Sequence, residues 1–84
     1  MTVSVQMSMG RREAMERTEV VSSNVKSVGY DDEESVLEVE FMSGGVYQYS
    51  DVPRDVFEGF FMASSVGRYL HQNVKGVYEF ERVR

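Results

Sequence analysis

Tyr47 and Tyr49 stand two positions apart, the spacing that sends successive side chains to the same face of a β-strand. Two phenol rings held about 7 Å apart in this way can form a platform on which nucleic-acid bases stack. Turned toward a helix-covered face, the same rings would fill a core and send their hydroxyls outward. Packing is the commoner use of aromatic residues in short strands. The three-residue connection ahead of them leaves open whether they share the buried face of the preceding strand.

The other residue types capable of chemistry form weaker constellations. His71 is the single histidine, and nucleophilic catalysis would need it beside an activated hydroxyl and an orienting acid. Ser64 and Ser65 lie upstream of it, in positions that ordinarily cap a helix. No catalytic constellation emerges, and the expectation is a non-catalytic protein. Asp31, Asp32, Glu33 and Glu34 are consecutive, whereas calcium loops space their ligands around a glycine turn. They read as solvated charge in a strand connection, with no metal site. Gly44 and Gly45 lack the longer glycine pattern and lysine of a phosphate loop. Ser64, Ser65, Gly67 and Arg68 suit an anion at a helix start, but capping and close packing at Gly67 already account for them. No cofactor is expected.

Charge is unevenly spread. The net charge is −5 over 84 residues. Residues 31–50 hold six acids and no base, while residues 61–84 hold Arg68, Lys75, Arg82 and Arg84 against two acids. Such a chain is a poor generic binder of phosphate backbones, although the basic last third offers a local patch. The absence of cysteine excludes disulfides, thiolate zinc sites and thiol nucleophiles. No apolar run approaches the roughly 20 residues that a spanning helix needs, and no signal-peptide layout opens the chain. The expected location is cytoplasmic, with no membrane partner.

The elements that must position these residues are legible from periodicity. Residues 1–19 read as a leader, loosely ordered or supplying an extra edge strand, and residues 20–84 as one domain. Within 20–30 the pattern is strand-like with mixed amphipathicity and room for a bulge. Leu37, Val39 and Phe41 alternate with Glu38 and Glu40, predicting a strand over 36–42 with its apolar side inward. Ser43, Gly44 and Gly45 make a tight turn, and 46–50 form a third strand. Pro53 suits the first turn of a helix, with Ser50 or Asp51 placed to cap it. Val56, Phe57, Phe60 and Phe61 give one apolar stripe. A second helix follows with Val66, Tyr69, Leu70 and Val74 on its face and Gly76 beyond its end. Alternation over 77–83 predicts a closing strand. The result is an α+β domain: a small antiparallel sheet in β-β-β-α-α-β order, with the helices packed on one face.

Phe41-x-x-Gly44-x-x-Tyr47-x-Tyr49-x-x-Val52-Pro53, then Ala63-x-Ser65-x-Gly67-x-Tyr69 and Val74-x-x-x-Tyr78, resembles the KTSC domain. Upstream, Ser22-Ser23-Asn24-Val25 and Gly29-Tyr30-Asp31 are similar to that domain's first strand. The resemblance covers residues 20–83. The family occurs as an extension of some lysyl-tRNA synthetases and as small free-standing bacterial and phage-type proteins. It therefore implies a binding module, with RNA as the suggested partner. On this chain the implied contacts are Tyr47 and Tyr49, with Arg68 and Lys75 as nearby charge. No synthetase catalytic domain is present, so aminoacylation is not implied. The alternative reading is a protein-interaction module, or a homodimer formed through an edge strand.

Overall fold

The computed structural model describes residues 16–84. The strand-like alternation at residues 3–9 lies outside them, as does most of the charged run after it. Among the described residues, five strands form one antiparallel sheet in sequential order: β1 Arg17–Glu19, β2 Val25–Asp31, β3 Val36–Phe41, β4 Val46–Tyr49 and β5 Phe80–Arg82. Helices α1 Arg54–Gly59 and α2 Val66–Asn73 lie between β4 and β5. The expected element order is thus corrected: four strands precede the helices.

The added strand is β1, and its physical basis explains why periodicity does not announce it. Its three residues have no buried apolar side chain. It is held by backbone pairing to β2, Arg17 opposite Gly29, and a side chain at Gly29 would obstruct that pairing. A Cβ there would come within 2.4 Å of the Glu16 carbonyl oxygen.

A bulge sets the facing of β2. Val25 pairs with Phe41 and Ser27 with Glu40, so Lys26 is the extra residue. Val25 and Val28 consequently both reach the core, while Ser27 turns to the other side. Strand β3 alternates as its sequence requires, with Leu37 and Val39 fully buried in the core. The β3–β4 turn closes through Phe41 N–H to the Gly45 carbonyl and Gly44 N–H to the Phe41 carbonyl, both 2.8 Å. Gly44 carries the positive φ of 104° that the turn needs.

Pro53 occupies the cap position of α1 in extended conformation, and no side chain caps the helix. The expected capping by Ser50 or Asp51 is therefore corrected. Asp51 takes a left-handed φ of 58°, which swings the chain off the sheet instead of winding it into the helix. Helix α1 then tightens into three-residue bonds, Phe60 N–H to Phe57 and Phe61 N–H to Glu58. That tightening buries Phe60 and leaves Phe61 48 % exposed, packed edge-on against Phe57. Ser65 caps α2 as expected, its Oγ accepting from Arg68 N–H at 3.2 Å. Phe60, Val66, Leu70 and Val74 join Val25, Val28, Leu37, Val39, Tyr49 and Val52 in one core, so both helices cover the same sheet face. The Tyr30 hydroxyl donates to the Val52 carbonyl, and its ring stacks on Phe57. Among the described residues no helix is long and apolar enough to cross a membrane.

The opposite face is polar. Glu40 accepts from the Ser27 hydroxyl at 2.8 Å and faces Arg17 at 3.8 Å and Arg84 at 3.4 Å. The Ser27 hydrogen bond lowers its pKa most, against the opposing effect of burial; Arg17, Lys26 and Arg84 lower it further. A carboxyl depressed in the folded state stabilises the fold above its unfolded pKa, and that contribution disappears as pH falls through the folded value. Glu40→Gln is therefore expected to flatten the decline of stability between about pH 5 and pH 3. Urea midpoints of both proteins across that range check this; parallel profiles would contradict it.

Candidate functional site

The register decides where the two tyrosines point. Tyr47 lies opposite Val39 on one side and Arg82 on the other, and Tyr49 lies between Leu37 and Phe80. Both therefore share the helix-covered face with Leu37 and Val39. Tyr49 is 2 % exposed and belongs to the core. Burial pushes its hydroxyl pKa up, and neighbouring Tyr47 adds to the rise. Tyr47 is half-buried at the margin of the helical layer.

That margin is a cleft of about 490 Å³ lined by Phe41, Ser43, Tyr47, Tyr49, Lys75, Gly76 and Phe80. It exists because α2 ends before the sheet does. Gly76, at φ 80°, turns the chain away and contributes no side chain to fill the space. Phe41 meets Tyr47 edge to face at a centroid separation of 5.4 Å. Tyr47 then meets Phe80 at 5.4 Å with rings tilted by 39°. Phe80, on the short edge strand β5, remains 59 % exposed. The three rings make one aromatic strip whose open end is Phe80.

Two cations border the strip. Lys75 Nζ lies 5.9 Å from the Phe41 centroid, and the Arg82 guanidinium lies 5.8 Å from that of Tyr47. Folding thus brings the basic last third of the chain onto the hairpin. The acids of 31–50 go elsewhere. Glu38 and Glu40 alternate onto the opposite face. The 31–34 turn joins the other end of β3, about 17 Å from Phe41 by strand rise. Asp31 Oδ1 accepts there from Glu33 and Glu34 N–H, and Asp32 pairs with Arg54. No group of three or more metal-ligating side chains is assembled among the described residues.

Of the four residues singled out in the sequence, the structure brings Tyr47, Tyr49 and Lys75 to one cleft. Arg68 lines a different hollow with Ser22, Ser23 and Asn24, about 10 Å from Lys75 by helix rise. The rings missed in the sequence are Phe41 and Phe80. Their signal is cross-strand and not local: each becomes a neighbour of Tyr47 only through the pairings of β3 with β4 and β4 with β5.

The motif series runs through this architecture from Ser22 to Tyr78, and a family model described as the KTSC domain matches residues 21–78. The chain belongs to the KTSC domain family. A KTSC domain protein of Yersinia pestis has the same fold, with a TM-score of 0.80 at 37 % identity, over 84 % of this chain and 100 % of that one. A protein of Stutzerimonas stutzeri is 44 % identical over 61 residues, covering 73 % of this chain and 86 % of the relative. A lysine–tRNA ligase of Trichormus variabilis is 38 % identical over 61 residues, 73 % of this chain but only 11 % of the ligase. KTSC domains thus occur both nearly alone and as a small part of a ligase.

Proposed function

We propose that this KTSC domain is a non-catalytic binding module for single-stranded RNA, which it holds by stacking bases on the Phe41–Tyr47–Phe80 strip. The observation that carries the reading is the exposed Phe80 ring, continuous with Tyr47 and bordered by Lys75 and Arg82. The occurrence of the domain in lysine–tRNA ligases supports the choice of RNA. With a net charge of −5, affinity must rest on stacking more than on phosphate neutralisation. Two neutralised phosphates give a salt slope of only about −1.4.

Phe80→Ala is expected to weaken binding of a fluorescently labelled oligoribonucleotide roughly 5- to 100-fold, the cost of one lost base stack. Anisotropy titration measures it. Absence of binding at low salt, or an affinity indifferent to Phe80, would sink the reading.

The exposure of Phe80 on edge strand β5 and of Val83 just beyond it favours a second reading, pairing with another copy of this chain. Sedimentation distinguishes the two. A concentration-dependent dimer that dissociates on Phe80→Ala and ignores RNA would support the second.

A further inference from the structure

Beside the aromatic cleft lies a second hollow, of about 590 Å³. The Ser23–Asn24 segment and Met42 form one wall, and Gly67, Leu70 and His71 of α2 form the other. Both hollows share Phe41, Ser43 and Lys75 as lining, so they meet at Lys75. Each volume falls within the range of about 300–1,000 Å³ used by small-ligand sites.

The second hollow is built differently from the first. Its distinctive group is the Asn24 side chain, a paired donor and acceptor of the kind that reads a base edge. The backbone behind that amide is fixed. Asn24 N–H donates to the Ser22 hydroxyl at 3.1 Å, and its carbonyl accepts from Met42 N–H at 2.8 Å. Gly67 opposite has no side chain, and a Cβ built there would lie 3.5 Å from the amide nitrogen. Met42 beside it is 59 % exposed and supplies a polarizable thioether suited to an aromatic face. Where the hollows join, Lys75 is held by its own N–H to the Leu70 carbonyl at 2.9 Å. Among the described residues, no acidic one lines either hollow.

From this layout we infer that the site takes two consecutive nucleotides. One base stacks on the aromatic strip, the next enters the second hollow with its edge toward the Asn24 amide, and the phosphodiester linking them rests on Lys75. This inference depends on the stacking reading above and assigns it a polarity of parts: a sequence-tolerant stacking half and a base-reading half.

Titration of the isotope-labelled protein with adenosine monophosphate and with the diribonucleotide ApA separates the two. ApA is expected to bind about 10-fold more tightly, the worth of a second held base, and to shift the amide resonances of Met42 and Gly67, which the monophosphate leaves in place. Asn24→Ala is expected to cut the ApA advantage to less than about twofold. Equal affinities for the two probes, or an advantage that survives Asn24→Ala, would overturn the two-nucleotide site while leaving the stacking cleft intact. If neither probe binds, the stacking reading itself fails. Resonance shifts confined to the aromatic cleft with both probes would also overturn the inference, whatever the stability of the variant.

Discussion

Replacing Phe60 with alanine is expected to remove roughly 3–5 kcal/mol of folding stability. Phe60 is 1 % exposed and is the largest of the fully buried side chains. It lies just past α1 and packs edge to face on Tyr69 of α2 at a centroid distance of 4.8 Å. Tyr69 in turn ties the helices together, its hydroxyl donating to the Val56 carbonyl at 2.9 Å. That contact is tightly fitted, since a Cβ at Gly59 would come within 2.0 Å of the same hydroxyl. An alanine at position 60 therefore leaves a cavity where neither helix can easily move in to fill it. A domain of this size holds only about 4–12 kcal/mol in total, so the variant should be largely unfolded in mild urea. Phe61→Ala is the control: its ring is 48 % exposed, and the expected loss is under about 1 kcal/mol. Equal urea midpoints for the two variants would contradict the assignment of Phe60 to the core.

The contrast between those phenylalanines marks how far the sequence could be read. Val56, Phe57, Phe60 and Phe61 have helical spacing, and a stripe is the correct inference for an ideal α-helix. The tightening after Gly59 accompanies the packing of Phe60 on Tyr69 of α2, and it leaves Phe61 outside the core. Strand β3 needed no such context. Its alternation of Leu37 and Val39 with Glu38 and Glu40 is a local signal with one buried face. The valines of β2 fit no single alternation, which leaves room for a bulge, and the paired register places it at Lys26. An edge strand within residues 1–19 is one of the two readings that segment allows, but its position at 17–19 is not legible, because Arg17, Thr18 and Glu19 carry no apolar period and join the sheet only by pairing with β2's edge.

The cleft shows the same division between local and distant signals. Two residues of spacing guarantee that Tyr47 and Tyr49 share a face, and that much is legible. Which face follows from the β3–β4 register; what covers it depends on where α2 stops and on β5 returning antiparallel to β4. Those are events separated from the tyrosines by about thirty residues of chain. The charge map behaved likewise. A segment of six acids looks hostile to any anion, yet period 2 sends Glu38 and Glu40 away from the tyrosines that alternate in the paired strand. Sequence distance between acids and bases is thus a poor guide to the potential at a sheet face.

Glu38→Ala is expected to cost roughly 2–4 kcal/mol, although it removes a charged residue from the polar face of the sheet. The Glu38 side chain is only 5 % exposed. It accepts from Arg17 Nη1 at 2.6 Å and from Gln48 Nε2 at 2.8 Å, joining β1, β3 and β4 across the sheet. Deleting it takes an acceptor from a buried amide and leaves the Arg17 guanidinium, 24 % exposed, with only the longer Glu40 pairing at 3.8 Å. Because Arg17 keeps Glu40 and some access to water, the loss should fall below the full cost of a wholly buried orphan charge. The location of the damage is the sharper expectation. With three residues, no buried apolar side chain and one neighbour among the described residues, β1 depends on this ion pair more than any other strand does. Amide exchange at the β1–β2 pairing should therefore accelerate beyond what the global loss explains. Arg17→Ala should reproduce that local effect, and the double variant should add little to either single one. Uniform acceleration across all five strands, or fully additive losses, would show that Glu38 supports the sheet through Gln48 and β4 instead of holding its edge.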